Sequence, residues 1–134
     1  LFMSFVGCLS HRLPNLRQSS WQYLSAEYLV GELPSKRREM WSTTDPVILD
    51  RLQKAFSVQK GGDLWGRGMM SSNRLELRLS TGETYEIFIV SETRVTFSAY
   101  PDPKTGFGIT IKPDFYKLLK SVIESDRNMS IHFF

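Results

Sequence analysis

The middle of the chain alternates apolar and polar residues with the period of two that is typical of β-strands. In RLELRLS the apolar positions are Leu75, Leu77 and Leu79, and charged side chains occupy the positions between them. A TGE turn leads into TYEIFIV, where the alternation continues, and RVTFSAY repeats it once more. The pattern predicts three consecutive strands of an antiparallel meander, and FGITI after the next loop predicts a fourth.

Two earlier segments also have strand character. WQYLSAEYLV at 21–30 is rich in aromatic and aliphatic residues and is closed by Gly31 and Pro34, and REMWS at 38–42 predicts a second, shorter strand. The final MSIHFF fits either a fraying tail or a short edge strand, and the sequence leaves both open.

Two segments have the helical period instead. In TTDPVILDRLQKAFSVQKGG, Asp45 is a suitable N-cap, Pro46 suits the first turn, and Gly61 with Gly62 is expected to end the helix. KPDFYKLLKSVIESD predicts a second helix with one apolar stripe, formed by Phe115, Leu118, Leu119, Val122 and Ile123. We therefore expect an α+β fold, an antiparallel meander sheet of about four to six strands with two amphipathic helices packed on one face.

Composition and charge narrow the range of possible functions. The 134 residues suit one domain, and 17 Lys and Arg against 14 Asp and Glu leave a net charge of +3, too small to indicate nucleic acid. The single cysteine, Cys8, makes no internal disulfide, and with the distant His11 and His132 it supplies no metal-ligand cluster. We expect no cofactor and no nucleic-acid partner.

The apolar opening LFMSFVG ends at a small residue directly before Cys8, and a polar, proline-containing segment follows. This order is typical of the end of a secretory signal. FVGC resembles the lipobox of bacterial lipoproteins, in which the cysteine becomes the lipidated N-terminus. The resemblance implies that residues 1–8 are the remnant of a signal peptide, with its start upstream, and that Cys8 carries the lipid anchor. In the alternative interpretation the opening is a strand or helical turn with Cys8 as a small buried hydrophobe.

The predicted organisation follows from that anchor. Residues 9–20 are expected to form a flexible tether, and 21–134 a single α+β domain on the extracytoplasmic face of the cell membrane. The starting cysteine, the DPVILDRLQKA helix, the TGETYEIFIV hairpin and the FYKLLKSVIE helix together resemble the small lipoproteins of Gram-positive bacteria that carry a YhfM-like domain. That resemblance implies an envelope location and a binding or accessory role, and it transfers no catalytic residue.

The sequence gives little indication of catalysis. It contains no GxSxG motif, and a Cys8 and His11 pair would lie on a flexible end where hydrogen-bond geometry is hard to hold. We therefore expect no enzyme activity.

GGDLWGRGMM at 61–70 is glycine-rich, but it follows a helix and precedes a strand, the reverse of a phosphate-binding loop. It predicts a helix cap at Gly61 followed by a connection. The large or charged side chains of that connection are candidates for ligand or partner contact: Trp65, Arg67, Met69 and Met70.

The densest positive run is KRRE, with Lys36, Arg37 and Arg38. It fits a strand edge that charge protects from pairing, and on an envelope protein it is also a candidate contact for an anionic surface such as lipid headgroups. The leading hypothesis is a membrane-anchored lipoprotein that acts as a non-catalytic accessory or binding domain for an envelope protein or a small ligand. The alternative is a cytoplasmic interaction or regulatory module in which the N-terminal apolar stretch is part of the fold.

Overall fold

A computed structural model describes residues 16–32, 35–65, 73–100 and 102–134, and it describes the backbone alone for 60–65. These ranges contain seven strands: β1 (Trp21–Val30), β2 (Arg37–Thr43), β3 (Val58–Trp65), β4 (Arg74–Leu79), β5 (Thr84–Ser91), β6 (Arg94–Ser98) and β7 (Gly106–Ile111). They also contain two helices, α1 (Pro46–Ala55) after β2 and α2 (Asp114–Arg127) after β7.

The strands form one sheet in the order β2-β1-β4-β5-β6-β7-β3, and every pair of neighbours is antiparallel. The α+β prediction is confirmed, and β4 to β7 form the predicted meander. The sheet has seven strands, one more than the upper limit expected. Helix α1 carries the chain from β2 at one edge of the sheet to β3 at the other edge.

The additional strand is β3, where the sequence predicted the end of a helix and a loop. Helix α1 already ends at Ala55, because the buried Phe56 takes an extended conformation and its N–H donates to the carbonyls of Leu52 and Gln53. The predicted cap at Gly61 is therefore wrong: Gly61 lies within β3, which pairs with β7 through two register shifts. Glycines are tolerated in an edge strand at such bulges, where the pairing is interrupted.

The core lies on the face of the sheet that the two helices cover. The alternating leucines of β4, Leu75, Leu77 and Leu79, point to this face and are completely buried. Beneath the helices, Trp21 of β1, Phe56 and Phe115 of α2 form mutual edge-to-face contacts with ring centroids 5.1–6.1 Å apart. These contacts hold both helices to the start of β1, since aromatic pairs at such distances add to the burial of their rings.

Among the described residues, the packed part of the chain includes Leu16, five residues before Trp21. Leu16 is 3% exposed, and its carbonyl accepts hydrogen bonds from the Trp21 indole at 2.8 Å and from the Gln53 side chain at 3.0 Å. Gln53 also donates to the Ser19 carbonyl at 2.9 Å, so residues 16–20 form a turn that hydrogen bonds hold against α1. The remainder of the expected tether, 9–15, and the predicted signal remnant, 1–8, lie outside the described residues.

The C-terminal segment adds a short extension to the sheet. Leu29 of β1 and His132 exchange two backbone hydrogen bonds, of 2.7 Å and 2.9 Å. His132 occupies the side of β1 away from β2, beyond the last residue that pairs with β4. Ile131 and Phe133 on either side of it are fully buried, so the segment is packed into the core and does not fray.

Candidate functional site

Four of the eight site residues predicted from the sequence are described at least in their backbone. The other four lie outside the described residues: Cys8, Arg67, Met69 and Met70. For Trp65 the structure describes the backbone, which ends β3 opposite Gly106 of β7. The predicted contacts at these positions stay predictions.

The basic run is described, and it opens the edge strand β2. Lys36 and Arg38 are exposed, whereas the Arg37 guanidinium forms a 2.8 Å ion pair with Glu39. The hydrogen bond from Arg37 holds the pKa of the Glu39 carboxyl below its ordinary value, and the Tyr28 hydroxyl also donates to Glu39. Two cations therefore face solvent here while the third is engaged with a neighbour.

Both edges of the sheet are obstructed against further pairing. At β2 the Arg127 guanidinium donates to the Met40 carbonyl at 3.0 Å, in addition to the charges of the basic run. At β3 the two register shifts interrupt the ladder. The interpretation of the basic run as edge protection fits this arrangement, because charge and bulges are the usual means of preventing strand addition.

The basic run and the N-terminal end of the domain lie at opposite ends of β1. Arg37 pairs with Val30, the last residue of β1, whereas Leu16 contacts Trp21, the first. Ten residues of antiparallel strand span about 33 Å. A membrane surface near Leu16 therefore contacts the basic run only if β1 lies roughly parallel to that surface.

A groove of about 470 Å³ lies between the two helices and the end of β2. Residues 41–43 of β2 line it, together with one side of α1 that carries Asp45, Ile48 and Arg51. These three positions are spaced three apart, which places them on one helix face. The sequence predicted Asp45 as a helix cap alone, and it did not indicate a site at Ile48 or Arg51.

Helix α2 supplies the opposite wall of the groove with Ser121, Val122, Ser125 and Asp126. Ser121 and Ser125 are one turn apart, as are Val122 and Asp126, so each pair lies on one side of the helix. Val122 was predicted as part of the apolar stripe of α2. In the sequence, the incompletely filled interface between the helices is indicated only by the two serines beside that stripe, and small polar residues are common on helix surfaces.

Hydrogen bonds fix the polar groups of the groove. The Trp41 indole donates to the Asp126 carboxylate at 3.1 Å, and Trp41 itself is 3% exposed. Asp45 accepts from the Val47 N–H at 2.9 Å, and its own N–H donates to the Thr43 hydroxyl at 3.1 Å. Both carboxylates are therefore held in place, and each retains oxygen lone pairs for further donors.

The charges of the groove are two carboxylates, Asp45 and Asp126, and one guanidinium, Arg51. The described residues contain no group of three or more His, Cys, Asp or Glu side chains that could hold a metal ion.

A second polar cluster lies on the face of the sheet away from the helices. Arg74 contacts Glu86 at 2.9 Å and Glu27 at 3.6 Å, and Glu76 lies directly across from Glu86 in the register. The hydrogen bond with Glu86 raises the pKa of Arg74, so the guanidinium stays charged. The cluster neutralises carboxylates that would otherwise repel one another across the strands, which is a structural role.

One tyrosine has a strongly shifted pKa. Burial, together with the hydrogen bond that its hydroxyl donates to Glu83, raises the pKa of Tyr85 to about 12. A phenol with that pKa stays protonated at neutral pH, so it is a poor base. Its ring packs against Tyr100 and Phe97, which is consistent with a packing role.

Comparison with known proteins identifies no relative: no family model, no curated protein and no solved structure matches this chain. Within the described ranges, neither helix has the length and apolar character needed to cross a bilayer.

Proposed function

We propose that this protein is a membrane-anchored lipoprotein of the bacterial cell envelope, with the lipid on Cys8 and a non-catalytic binding domain as its folded part. The observation that carries the binding role is the groove between α1, α2 and the end of β2, whose polar groups are preset by hydrogen bonds. Preset polar groups around a concave surface are the usual form of a ligand site.

The anchor is supported by the sequence FVGC, which lies a short distance along the chain from the described domain. Leu16 is buried, and its carbonyl accepts a hydrogen bond from Gln53 of α1. Seven residues, 9–15, lie between Cys8 and Leu16, and the eight residue steps span at most about 29 Å when fully extended. A lipid on Cys8 would therefore keep Leu16 within about 29 Å of the bilayer.

A binding role is favoured over catalysis by the chemistry of the groove. Its described lining includes serines and two carboxylates but no histidine or lysine that would activate a hydroxyl. Each carboxylate already accepts a structural hydrogen bond, one capping α1 and the other holding Trp41. These groups suit recognition, where fixed donors and acceptors determine which ligand fits.

The anchor is tested by expressing the gene with its upstream codons in a Gram-positive host and labelling the cells with radioactive palmitate. We expect label on the protein, a membrane-bound fraction, and accumulation of a larger precursor with globomycin. The Cys8→Ser variant is the control, and it should lose the label and leave the membrane fraction.

A protein that carries no palmitate with Cys8 intact, and that fractionates with the cytosol, would contradict the anchor. That result would favour the alternative of a cytoplasmic interaction or regulatory module. Binding by the groove would be unaffected, since its residues belong to the folded domain.

A further inference from the structure

The groove stays open because small side chains face it from two elements. Ser121 and Ser125 on α2 and Ser42 at the end of β2 all line it, and all three are exposed. Leucine or a longer residue at Ser121 or Ser125 would extend toward α1 and occupy the space. The serines therefore determine both the volume of the groove and the hydroxyl character of its rim.

The bottom of the groove differs from its rim. The buried Trp41 and the half-buried Ile48 and Val122 belong to the apolar core or pack against it, and they also line the groove. Hydroxyl and charged groups surround this apolar bottom. A ligand that fits both must present C–H surface on one side and hydroxyl groups around its edge, as a pyranose ring does.

The lining of the groove argues against an anionic ligand and against a wholly apolar one. An anion would meet two carboxylates, Asp45 and Asp126, against the single guanidinium of Arg51. A wholly apolar ligand would remove hydroxyl and charged groups from water without replacing their hydrogen bonds. A neutral ligand with many hydroxyls avoids both costs, because each hydroxyl donates to a carboxylate or accepts from Arg51, and serine hydroxyls do either.

We propose that the groove binds a neutral saccharide. The proposal rests on the proposed function, of which it names the ligand class. The volume of about 470 Å³ lies within the range of about 300–1,000 Å³ that is typical of small-ligand sites. A mono- or disaccharide is the expected size of occupant.

The test is a titration of the full chain, labelled with ¹⁵N, against five neutral saccharides: glucose, galactose, N-acetylglucosamine, cellobiose and N,N′-diacetylchitobiose. Inositol hexakisphosphate and spermidine serve as the anionic and cationic comparisons. We expect saturable shifts for at least one saccharide, at the Trp41 indole N–H and at 121–126, and weaker or no shifts for the two charged compounds. The proposal is overturned if spermidine alone shifts these signals, or if no saccharide does so at about 20 mM.

Two variants of the same chemistry distinguish the groove from other surfaces. Ser125→Leu fills the groove and should weaken saccharide binding at least about tenfold. Ser80→Leu, at an exposed turn residue that does not line the groove, should leave the affinity within about twofold. Equal affinities in the two variants would place the binding elsewhere and refute the proposal.

Folding is checked by the unfolding midpoint of each variant. Arg51→Ala is a second variant that removes a donor from the exposed wall of α1 without filling space, and it should also weaken binding about tenfold. Lipidated Cys8 with no saccharide bound would contradict this proposal alone, whereas saccharide binding without palmitate on Cys8 would contradict the anchor alone.

Discussion

Two adjacent phenylalanines allow a sharp test of how the C-terminal segment is held. Phe133 and Phe134 both contact the ring of Tyr116, with centroid distances of 5.7 Å and 5.6 Å. They differ in burial, since Phe133 is 0% exposed and Phe134 is 55% exposed. Replacing each by alanine separates the effect of burial from that of the ring contact.

The expected magnitudes follow from that difference. Phe133→Ala removes a fully buried ring and leaves a cavity in the core, which typically costs about 3–5 kcal/mol of unfolding free energy. Phe134→Ala loses a partly solvated ring contact and should cost about 1 kcal/mol or less. With a denaturant slope of about 2 kcal/mol per molar urea, the first variant should unfold about 1.5–2.5 M earlier than the parent protein.

The assay is urea unfolding followed by tryptophan fluorescence and circular dichroism, with the slopes compared between variants. Hydrogen exchange at the Leu29 amide, which donates to the His132 carbonyl, should accelerate in Phe133→Ala and stay close to the parent in Phe134→Ala. Equal losses in the two variants, or a loss below about 1 kcal/mol for Phe133→Ala, would refute the conclusion that burial anchors the segment.

Three further predictions concern the ends and caps of the fold. Leu16→Ala should cost about 2–4 kcal/mol in urea unfolding, because the side chain is 3% exposed, and an unchanged midpoint would show that Leu16 does not contribute to the packing of the domain. Asp45→Ala removes the acceptor for the Val47 N–H and should lower the unfolding free energy by about 1 kcal/mol, whereas Asp45→Asn can still cap the helix and should lower it by about a few tenths of a kcal/mol. Equal losses in the two variants would argue against the cap as the cause. Hydrogen bonds from the Ile131 N–H and from a lysine one turn earlier hold the pKa of Glu124 below its ordinary value. The stabilising effect of the ionised Glu124 carboxylate is therefore complete at neutral pH, and it is lost as the pH falls through that lowered pKa. We expect the unfolding free energy of the parent protein to decrease more than that of Glu124→Gln between about pH 5 and pH 3, and parallel curves would disprove this assignment.

The parts of the fold with a regular local period were predictable. The alternation around Leu77 and Ile87 identified β4 and β5, and the Asp45-Pro46 pair identified the start of α1. Strand β3 was not predictable in this way, since Gly61 and Gly62 are ordinarily turn residues. It exists because β7 offers an open edge to pair with, and that tertiary contact outweighs the local preference.

The candidate site was less predictable than the fold. Its walls come from two parts of the chain far apart in sequence, and each residue has an ordinary explanation on its own: Asp45 as a cap, Val122 as part of a stripe, Ser125 as a solvated position. The groove appears only once the sheet brings α1 and α2 together. Cys8 illustrates the opposite case, in which a short local motif suggests chemistry that the folded domain does not reveal.

The path of α1 sets a limit on the shape of the whole sheet. Between Thr43 at the end of β2 and Val58 at the start of β3, the chain has a ten-residue helix of about 15 Å and two short links of about 10 Å each. The outermost strands are therefore kept within about 35 Å of each other at these two points, close to the roughly 29 Å width of a flat seven-stranded sheet. The crossover is therefore only about 6 Å longer than a flat sheet requires, and deleting one helical turn of about 5.4 Å from α1 would remove nearly all of that margin.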